Sequence, residues 1–202
     1  KVVAESALLS GWDEVVFFDD AWPQFERNGA WVVEGRTESL IAHLSKFDGV
    51  LVSIGDCMAR WQKHRMLLDV GARMTTVAHP TAVISPRAII GAGSVVMAGG
   101  VVNVDAIIGQ AVIVNTGATV DHDCRIEDSV HICPGVHLSG GVKVGMGSWV
   151  GVGAAVKQGI IIGKNAVVGA GAVVISPIED RATVIGNPAR LYDVAKMQRS
   201  EP

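Results

Sequence analysis

His122 lies between two aspartates, Asp121 and Asp123, in a chain of 202 residues that has only six histidines. Imidazole is the side chain best suited to proton transfer near neutral pH, and an adjacent carboxylate can raise its basicity and fix its orientation. The stretch around this triplet carries further polar candidates, which are Asn115, Arg125, His131 and His137. The triplet therefore predicts a general base, with His122 as the base and one flanking aspartate as its partner.

A strict period of six residues predicts the scaffold that holds these side chains. Every sixth residue from Ile84 to Val174 is a branched aliphatic, without exception: Ile84, Ile90, Val96, Val102, Ile108, Val114, Val120, Ile126, Ile132, Leu138, Val144, Val150, Val156, Ile162, Val168 and Val174. A period of six fits neither an α-helix nor an alternating strand and is typical of a parallel β-helix. We expect a triangular prism, with these aliphatics and a second column of small residues pointing inward.

Stacking of the prism adds a prediction about the site. Three hexapeptides, about eighteen residues, would form one coil, so residues eighteen apart should lie above each other. His122 then lies against Gly140, beside Gly141. Two glycines would leave room for a reacting group, and their backbone N–H groups could bind a developing oxyanion.

The other two histidines of this stretch do not form a metal pair. His131 and His137 are six residues apart and should occupy equivalent positions on successive faces, pointing in different directions. No metal site is therefore predicted from their spacing. His131 remains a candidate for the site of a neighbouring subunit.

Composition and charge narrow the class of protein. The net charge of −3 gives no basis for nucleic-acid binding. Three cysteines without metal spacing favour a reducing, cytoplasmic location, and we expect Cys124 to be a core thiol. The apolar stretch 159–176 contains Lys164 and Asn165 and keeps the period of six, so no membrane span is predicted.

Residues 1–78 predict a small parallel α/β domain of the Rossmann-like type. Helical patterns over 1–9, 38–44 and 58–70 alternate with strand patterns over 15–18 and 49–54. Ligands of such sheets bind beyond the carboxyl ends of the strands. Asp19 and Asp20 follow the first strand, and Ile54 and Gly55 lie at the end of the second, so we expect a ribose-binding site there, with solvated loop acids as the alternative.

The prism should then extend over residues 79–190, closed by Gly186-Asn187-Pro188-Ala189-Arg190 and followed by a polar, helical tail at 191–202.

Taken together, these features resemble one family, the left-handed β-helix sugar acyltransferases of bacterial surface-glycan pathways. The bacillosamine and perosamine N-acetyltransferases are the most similar groups, and the sialic acid O-acetyltransferases are related. The resemblance covers essentially the whole chain. It depends on the hexapeptides together with Asp19-Asp20, Asn115-Thr116-Gly117, His122-Asp123 and the closing motif.

The resemblance implies a homotrimer with active sites in the clefts between prisms, and acetyl-CoA as cosubstrate without a metal. His122 matches the general base of the family and Asp123 its acidic partner. The remaining positions that match are His131, Gly140, Gly141, Val152 and Ala170 for acetyl-CoA, and Asp19, Asp20, Ile54, Gly55 and Asn115 for the substrate. One departure is that family members begin with a strand and a glycine-rich loop before the stretch that matches Lys1-Val2-Val3.

The expected reaction is acetyl transfer to the amino group of a nucleotide-linked deoxyamino sugar, most simply a 4-amino sugar. A uridine, guanosine or cytidine nucleotide is equally compatible with these residues. The alternatives are O-acetylation of a sugar or sialic acid, a zinc enzyme of the γ-carbonic anhydrase kind that uses His122, His131 and His137, and a non-enzymatic scaffold.

Overall fold

The computed structural model describes residues 1–192, so the tail predicted for 191–202 lies outside the described residues from position 193 onward. Residues before the prism form a small domain of three α-helices, a short 3-10 helix and three strands. In chain order they are α1 (Val2–Leu9), β1 (Phe17–Phe18), β2 (Arg27–Asn28), β3 (Trp31–Gly35), α2 (Thr37–Ala42), the 3-10 helix Leu44–Lys46 and α3 (Cys57–Asp69).

The three helices agree with the sequence prediction, but the sheet of this domain does not. Its order is β1-β3-β2, with β1 parallel and β2 antiparallel to β3, so it is mixed rather than parallel. The strand predicted over 49–54 is reduced to a single bridge between Val50 and Met74. That segment is instead held by side chains, because Val50 and Val52 pack with Leu40 and Leu67 in the core of the domain.

The prism is confirmed, with parallel strands of two residues that recur every six positions. The first face contains β4 (Val77–Ala78), β7 (Val95–Val96), β10 (Ile113–Val114), β13 (His131–Ile132), β16 (Trp149–Val150), β19 (Val167–Val168) and β21 (Thr183–Ile185). The second face contains β5 (Val83–Ile84), β8 (Val101–Val102), β11 (Thr119–Val120), β14 (His137–Leu138), β17 (Ala155–Val156) and β20 (Val173–Val174). The third face contains β6 (Ile89–Ile90), β9 (Ile107–Ile108), β12 (Arg125–Ile126), β15 (Lys143–Val144) and β18 (Ile161–Ile162).

Register along the prism matches the predicted coil. Ile113 pairs with His131, which pairs in turn with Trp149, each eighteen residues further on. The aliphatic column points inward and is almost completely buried from Val96 to Val174, as is Cys124 in the small column. The period of six therefore gives a left-handed parallel β-helix with a narrow aliphatic core. Its first strand, β4, lies just before the boundary predicted at residue 79.

The C-terminal end of the prism is closed as the sequence predicts. The short strand β22 (Arg190–Leu191) pairs antiparallel with β21, and the Gly186 carbonyl and the Ala189 N–H both bond to Val173 of the second face. Backbone groups that would otherwise form an open sheet edge are thereby paired.

The small domain packs on the first face and on the corner between the third and first faces. The apolar face of α1 contributes Ala7 to a cluster with Val77, Val95 and Ile113 of the first face. Helix α3 lies over the corner, where Ser129 Oγ donates to the Cys57 carbonyl at 2.6 Å. Within residues 1–192, no helix is long and apolar enough to cross a membrane.

Candidate active site

His122 lies at the corner between the second and third faces, between β11 and β12. Its Nδ1–H donates to Asp123 Oδ2 at 2.8 Å, and Nε2 has no partner within residues 1–192. Asp123 has a φ of 60°, in the left-handed region where most corners of the prism have glycine. Aspartate tolerates this conformation better than most residues. In Asp123 this conformation brings the carboxylate beside the imidazole.

The charges around His122 favour its protonated form. The hydrogen bond that His122 donates to Asp123 raises the pKa of His122 above its usual value, and the charge of Asp121 adds to this effect. The side chain is 57% exposed, so a substrate can reach it. Asp121 does not touch the ring: its Oδ1 accepts from the His122 backbone N–H at 2.8 Å and from Asn103 Nδ2 at 2.9 Å.

Gly140 lies against the imidazole, as the stacking argument predicts. A Cβ atom at this position would come within 2.5 Å of His122 Cε1 and Nε2, so only glycine fits without moving the ring. Among residues 1–192, the Gly140 N–H has no protein acceptor. This N–H is therefore available to a ligand.

The oxyanion role expected for Gly141 is corrected by the structure. Its N–H already donates to the His122 carbonyl at 2.9 Å, as part of the bonding between successive coils. Of the two glycines, only Gly140 can supply a backbone donor to an oxyanion.

His131 belongs to a second polar group, on the outer side of the first face. It is 6% exposed, with its ring against Trp149 at 4.2 Å between centroids. Nδ1 lies 3.3 Å from the Gly55 carbonyl, and Nε2 lies 3.1 Å from Asn115 Nδ2. Burial lowers the pKa of His131 to about 4, so the ring is neutral near pH 7.

The two polar groups are separate within one chain. His131, Asn115 and Gly55 come together on the first face, whereas His122, Asp123 and Gly140 occupy the opposite corner of the prism. No hydrogen bond joins the two groups in residues 1–192. His137 belongs to neither, since its ring bonds Thr119 Oγ1 at 3.0 Å on the second face.

Two of the positions predicted to contact acetyl-CoA lie one above the other on the prism. Val152 and Ala170 occupy the corner between the first and second faces, where the Gly171 N–H donates to the Val152 carbonyl. Val152 is 52% exposed. The corner that holds Asn115 lies lower in the same column, so a ligand could run from Asn115 up this edge.

The aspartates after β1 are partly occupied by the protein itself. Asp20 Oδ1 accepts from the Thr37 backbone N–H and hydroxyl, and Lys63 Nζ donates to Oδ2 at 2.7 Å. The Lys63 ammonium, together with Thr37, lowers the pKa of Asp20 to about 2. Asp19 Oδ1 accepts from the Ala21 N–H at 2.9 Å. Both carboxylates keep an exposed side for a ligand.

Three residues near these groups were not predicted from the sequence. Trp149 covers His131, Lys63 binds Asp20, and Arg60 donates to the carbonyls of both Ile54 and Gly55. A periodic pattern places Trp149 outward but does not reveal which histidine it touches. Lys63 and Arg60 lie on a helix whose charged residues look like an ordinary solvated face.

Donor groups for a metal do not cluster in the described part of the chain. No three His, Cys, Asp or Glu side chains of residues 1–192 are arranged to hold an ion. His122, His131 and His137, which the zinc-enzyme alternative would use, have separate partners within the chain.

Comparison with known proteins places the chain in a family. Residues 1–67 match the model of the PglD N-terminal domain. No curated protein sequence matches the chain. Among solved structures, the acetyltransferase domain of PglB from Neisseria gonorrhoeae FA1090 is 40% identical over 95% of this chain and 93% of that one, with a TM-score of 0.89.

Two further structures are similar over almost the whole chain. A mutant of perosamine N-acetyltransferase from Caulobacter crescentus, in complex with CoA and GDP-perosamine, is 38% identical over 95% of this chain and 91% of that one, with a TM-score of 0.90. WeeI from Acinetobacter baumannii AYE is 28% identical over 94% and 92%, with a TM-score of 0.83. The identity, the coverage and the shared prism agree, and the chain therefore belongs to the bacillosamine/perosamine family of acetyl-CoA-dependent acetyltransferases.

Proposed function

We propose that this enzyme transfers the acetyl group of acetyl-CoA to the amino group of a nucleotide-linked deoxyamino sugar, with a 4-amino sugar as the preferred acceptor, in bacterial surface-glycan biosynthesis. The observation that carries the proposal is the hydrogen bond from His122 Nδ1 to Asp123, with the free Nε2 against Gly140. The similar perosamine N-acetyltransferase, crystallised with CoA and GDP-perosamine, supports the class of substrate.

In the proposed mechanism His122 is the general base. The neutral amine attacks the thioester carbonyl carbon, a C–N bond forms, and His122 Nε2 takes the proton that the nitrogen loses. Asp123 holds the imidazole in the tautomer with the proton on Nδ1, and it stabilises the imidazolium that forms. The Gly140 N–H binds the oxyanion of the tetrahedral intermediate. Collapse breaks the C–S bond, and the proton held on His122 Nε2 passes to the departing CoA thiolate, which leaves as the thiol and restores the neutral base.

The remaining site residues are assigned to binding. Acetyl-CoA would lie along the edge that contains Val152 and Ala170, with His131 and Gly141 near its reactive end. The sugar nucleotide would contact Asn115, Ile54 and Gly55, with Asp19 and Asp20 near the ribose. Since His131 and His122 are apart in one chain, we propose a homotrimer in which neighbouring copies each supply half of the site.

An assay of CoA release tests this function. We expect turnover with acetyl-CoA and a nucleotide-linked 4-amino sugar, and little turnover with the matched sugar that has a hydroxyl at the same carbon. All three cysteines, Cys57, Cys124 and Cys133, are buried, so the free-thiol signal comes from CoA rather than from the enzyme. Turnover with the hydroxy sugar alone would make the enzyme an O-acetyltransferase.

The pH profile tests the role of Asp123. Asp123 raises the pKa of His122, and the base works only when it is neutral, so kcat/KM should rise with pH through a midpoint above the usual histidine value of about 6.5. In Asp123→Asn we expect that midpoint to move to lower pH. We expect the plateau to fall by about tenfold or more, because an amide no longer enforces the Nδ1–H tautomer.

Asp121→Asn is the matched control for this shift, because Asp121 acts on the His122 ring through its charge and bonds only the His122 backbone N–H, a bond that an asparagine oxygen can keep. Its midpoint should move in the same direction but less. The amine of the acceptor titrates identically in all variants, so differences between profiles report His122. An unchanged midpoint in Asp123→Asn would remove Asp123 from the proposed role.

A further inference from the structure

Arg60 is a buried cation that the acetyl-transfer mechanism does not use. It lies on α3 and is 1% exposed, and within residues 1–192 it forms no salt bridge with a carboxylate. A buried guanidinium is costly unless its donors are bonded. Neutral hydrogen-bond acceptors around Arg60 must therefore bind its N–H groups.

Those acceptors are backbone carbonyls from two parts of the chain. Nε donates to the Ala111 carbonyl at 2.7 Å, and Nη2 donates to the Ser129 carbonyl at 2.9 Å, both on the prism. Nη1 donates to the Ile54 carbonyl at 2.8 Å and to the Gly55 carbonyl at 2.7 Å, both in the loop before α3. The planar guanidinium thus fixes the position of that loop relative to the prism.

The corner of the prism that binds Arg60 has residues that are unusual for its backbone conformation. Ala111 and Ser129 have φ values of 53° and 55°, in the left-handed region that the other corners assign to Gly, Asp or Asn, with Arg181 as the exception. They lie one above the other at the same corner, and their carbonyls accept from the same side chain.

The Gly55 carbonyl that Arg60 holds is also the partner of His131. A carbonyl only accepts, so the His131 nitrogen that faces it must carry the proton, and Nε2 must then accept from Asn115 Nδ2. The Asn115 amide is consistent with this direction, because its Oδ1 accepts from the Thr116 N–H at 2.8 Å. Each bond in the chain from Arg60 to Asn115 therefore has one allowed direction.

We propose that Arg60 is a positioning residue for the transferase site: by holding the Gly55 carbonyl it fixes the Nδ1–H tautomer of His131 and the placement of the Ile54–Gly55 loop. This inference rests on the proposed function for its effect on catalysis, but not for its effect on His131.

Arg60→Lys tests the proposal, because lysine keeps the charge but cannot span carbonyls on both the loop and the prism. We expect kcat/KM to fall by about tenfold to a hundredfold, with a higher KM for the nucleotide-linked sugar as well as a lower kcat. In ¹⁵N-histidine spectra of the whole protein, the His131 signal should change from the Nδ1–H tautomer to a mixture.

Ser129→Ala is the matched control, since it removes the bond from Ser129 Oγ to the Cys57 carbonyl and leaves the guanidinium contacts in place. It should lower the unfolding temperature and leave both KM values and the His131 tautomer unchanged. If Arg60→Lys behaves in the same way, Arg60 only stabilises the fold and the proposal is wrong.

Asn115→Ala gives a test that does not depend on how well an Arg60 variant folds. If Arg60 and Gly55 set the tautomer, His131 keeps its proton on Nδ1 when Asn115 is removed; a shift to Nε2–H would overturn the proposal.

His131→Ala separates the positioning of His131 by Arg60 from the proposed role of His131 in the transfer. Full activity in that variant, together with the tautomer change in Arg60→Lys, would contradict the proposed role of His131 and leave the positioning by Arg60 intact.

Discussion

Replacement of His122 with alanine is expected to lower kcat/KM by about a hundredfold to ten-thousandfold, the range that general bases contribute. Without Nε2, the attacking nitrogen must lose its proton to water. The remaining activity should come from proximity, since a neutral sugar amine is itself a competent nucleophile and the Gly140 N–H still faces the thioester oxygen.

The fold of this variant should be intact, because the His122 side chain is largely exposed and, among residues 1–192, bonds only Asp123. An unchanged melting curve and elution volume would confirm this. His137→Ala is the matched control, since it removes an exposed histidine of the same stretch whose one bond within the described part of the chain is to Thr119. We expect its activity within a factor of three of wild type; the same result for His122→Ala would exclude His122 as the base.

The prism could be predicted almost completely from the sequence, because its geometry leaves little freedom. A narrow interior accepts on each face a branched aliphatic and a second residue that, except for Ile160, is no larger than valine, so the pattern repeats wherever the coil continues. The same regularity predicts the contact between His122 and Gly140 from the sequence alone. It also explains the correction at Gly141, because the second glycine of that corner sits where each coil donates to the one below it.

The small domain was predicted less well because it has no such repeat. Its helices carry clear patterns, but the hairpin of β2 and β3 contains Arg27, Asn28 and Gly29, which look like a loop. The 49–54 segment has the composition of a buried strand, yet it pairs only at Val50. Its burial comes from packing between helices, and a local apolar run does not distinguish that from a sheet.

The partners of the candidate residues were the least predictable part of the site. That His131 faces Gly55 depends on how one domain docks on another across more than seventy positions of sequence, whereas Arg60 holds the same carbonyl from within the small domain. No periodicity encodes that contact. Candidate residues can be predicted from their type and their position in the repeat. The directions of their hydrogen bonds can be assigned only from the folded structure.

Two impaired variants are expected to regain activity when they assemble together. His122→Ala lacks the base, and His131→Ala should lose about tenfold or more because its site loses the neutral ring that is bonded to Gly55 and Asn115. If each site combines His122 of one copy with His131 of the next, a ring that contains both variants always has one junction at which both histidines are present.

Co-expression with two different affinity tags, followed by purification on both, isolates rings that contain both variants. We expect them to show about one third of the wild-type activity, since one of three sites is intact in every mixed trimer. The matched control pairs His122→Ala with Asp123→Ala. These residues are bonded to each other on the same copy, so no mixed junction holds both and the activity should stay at the level of the single variants. Equal, low activity in both mixtures would place the whole site within one chain. Because His122 and His131 are far apart in one chain, only one of them would then act in the transfer.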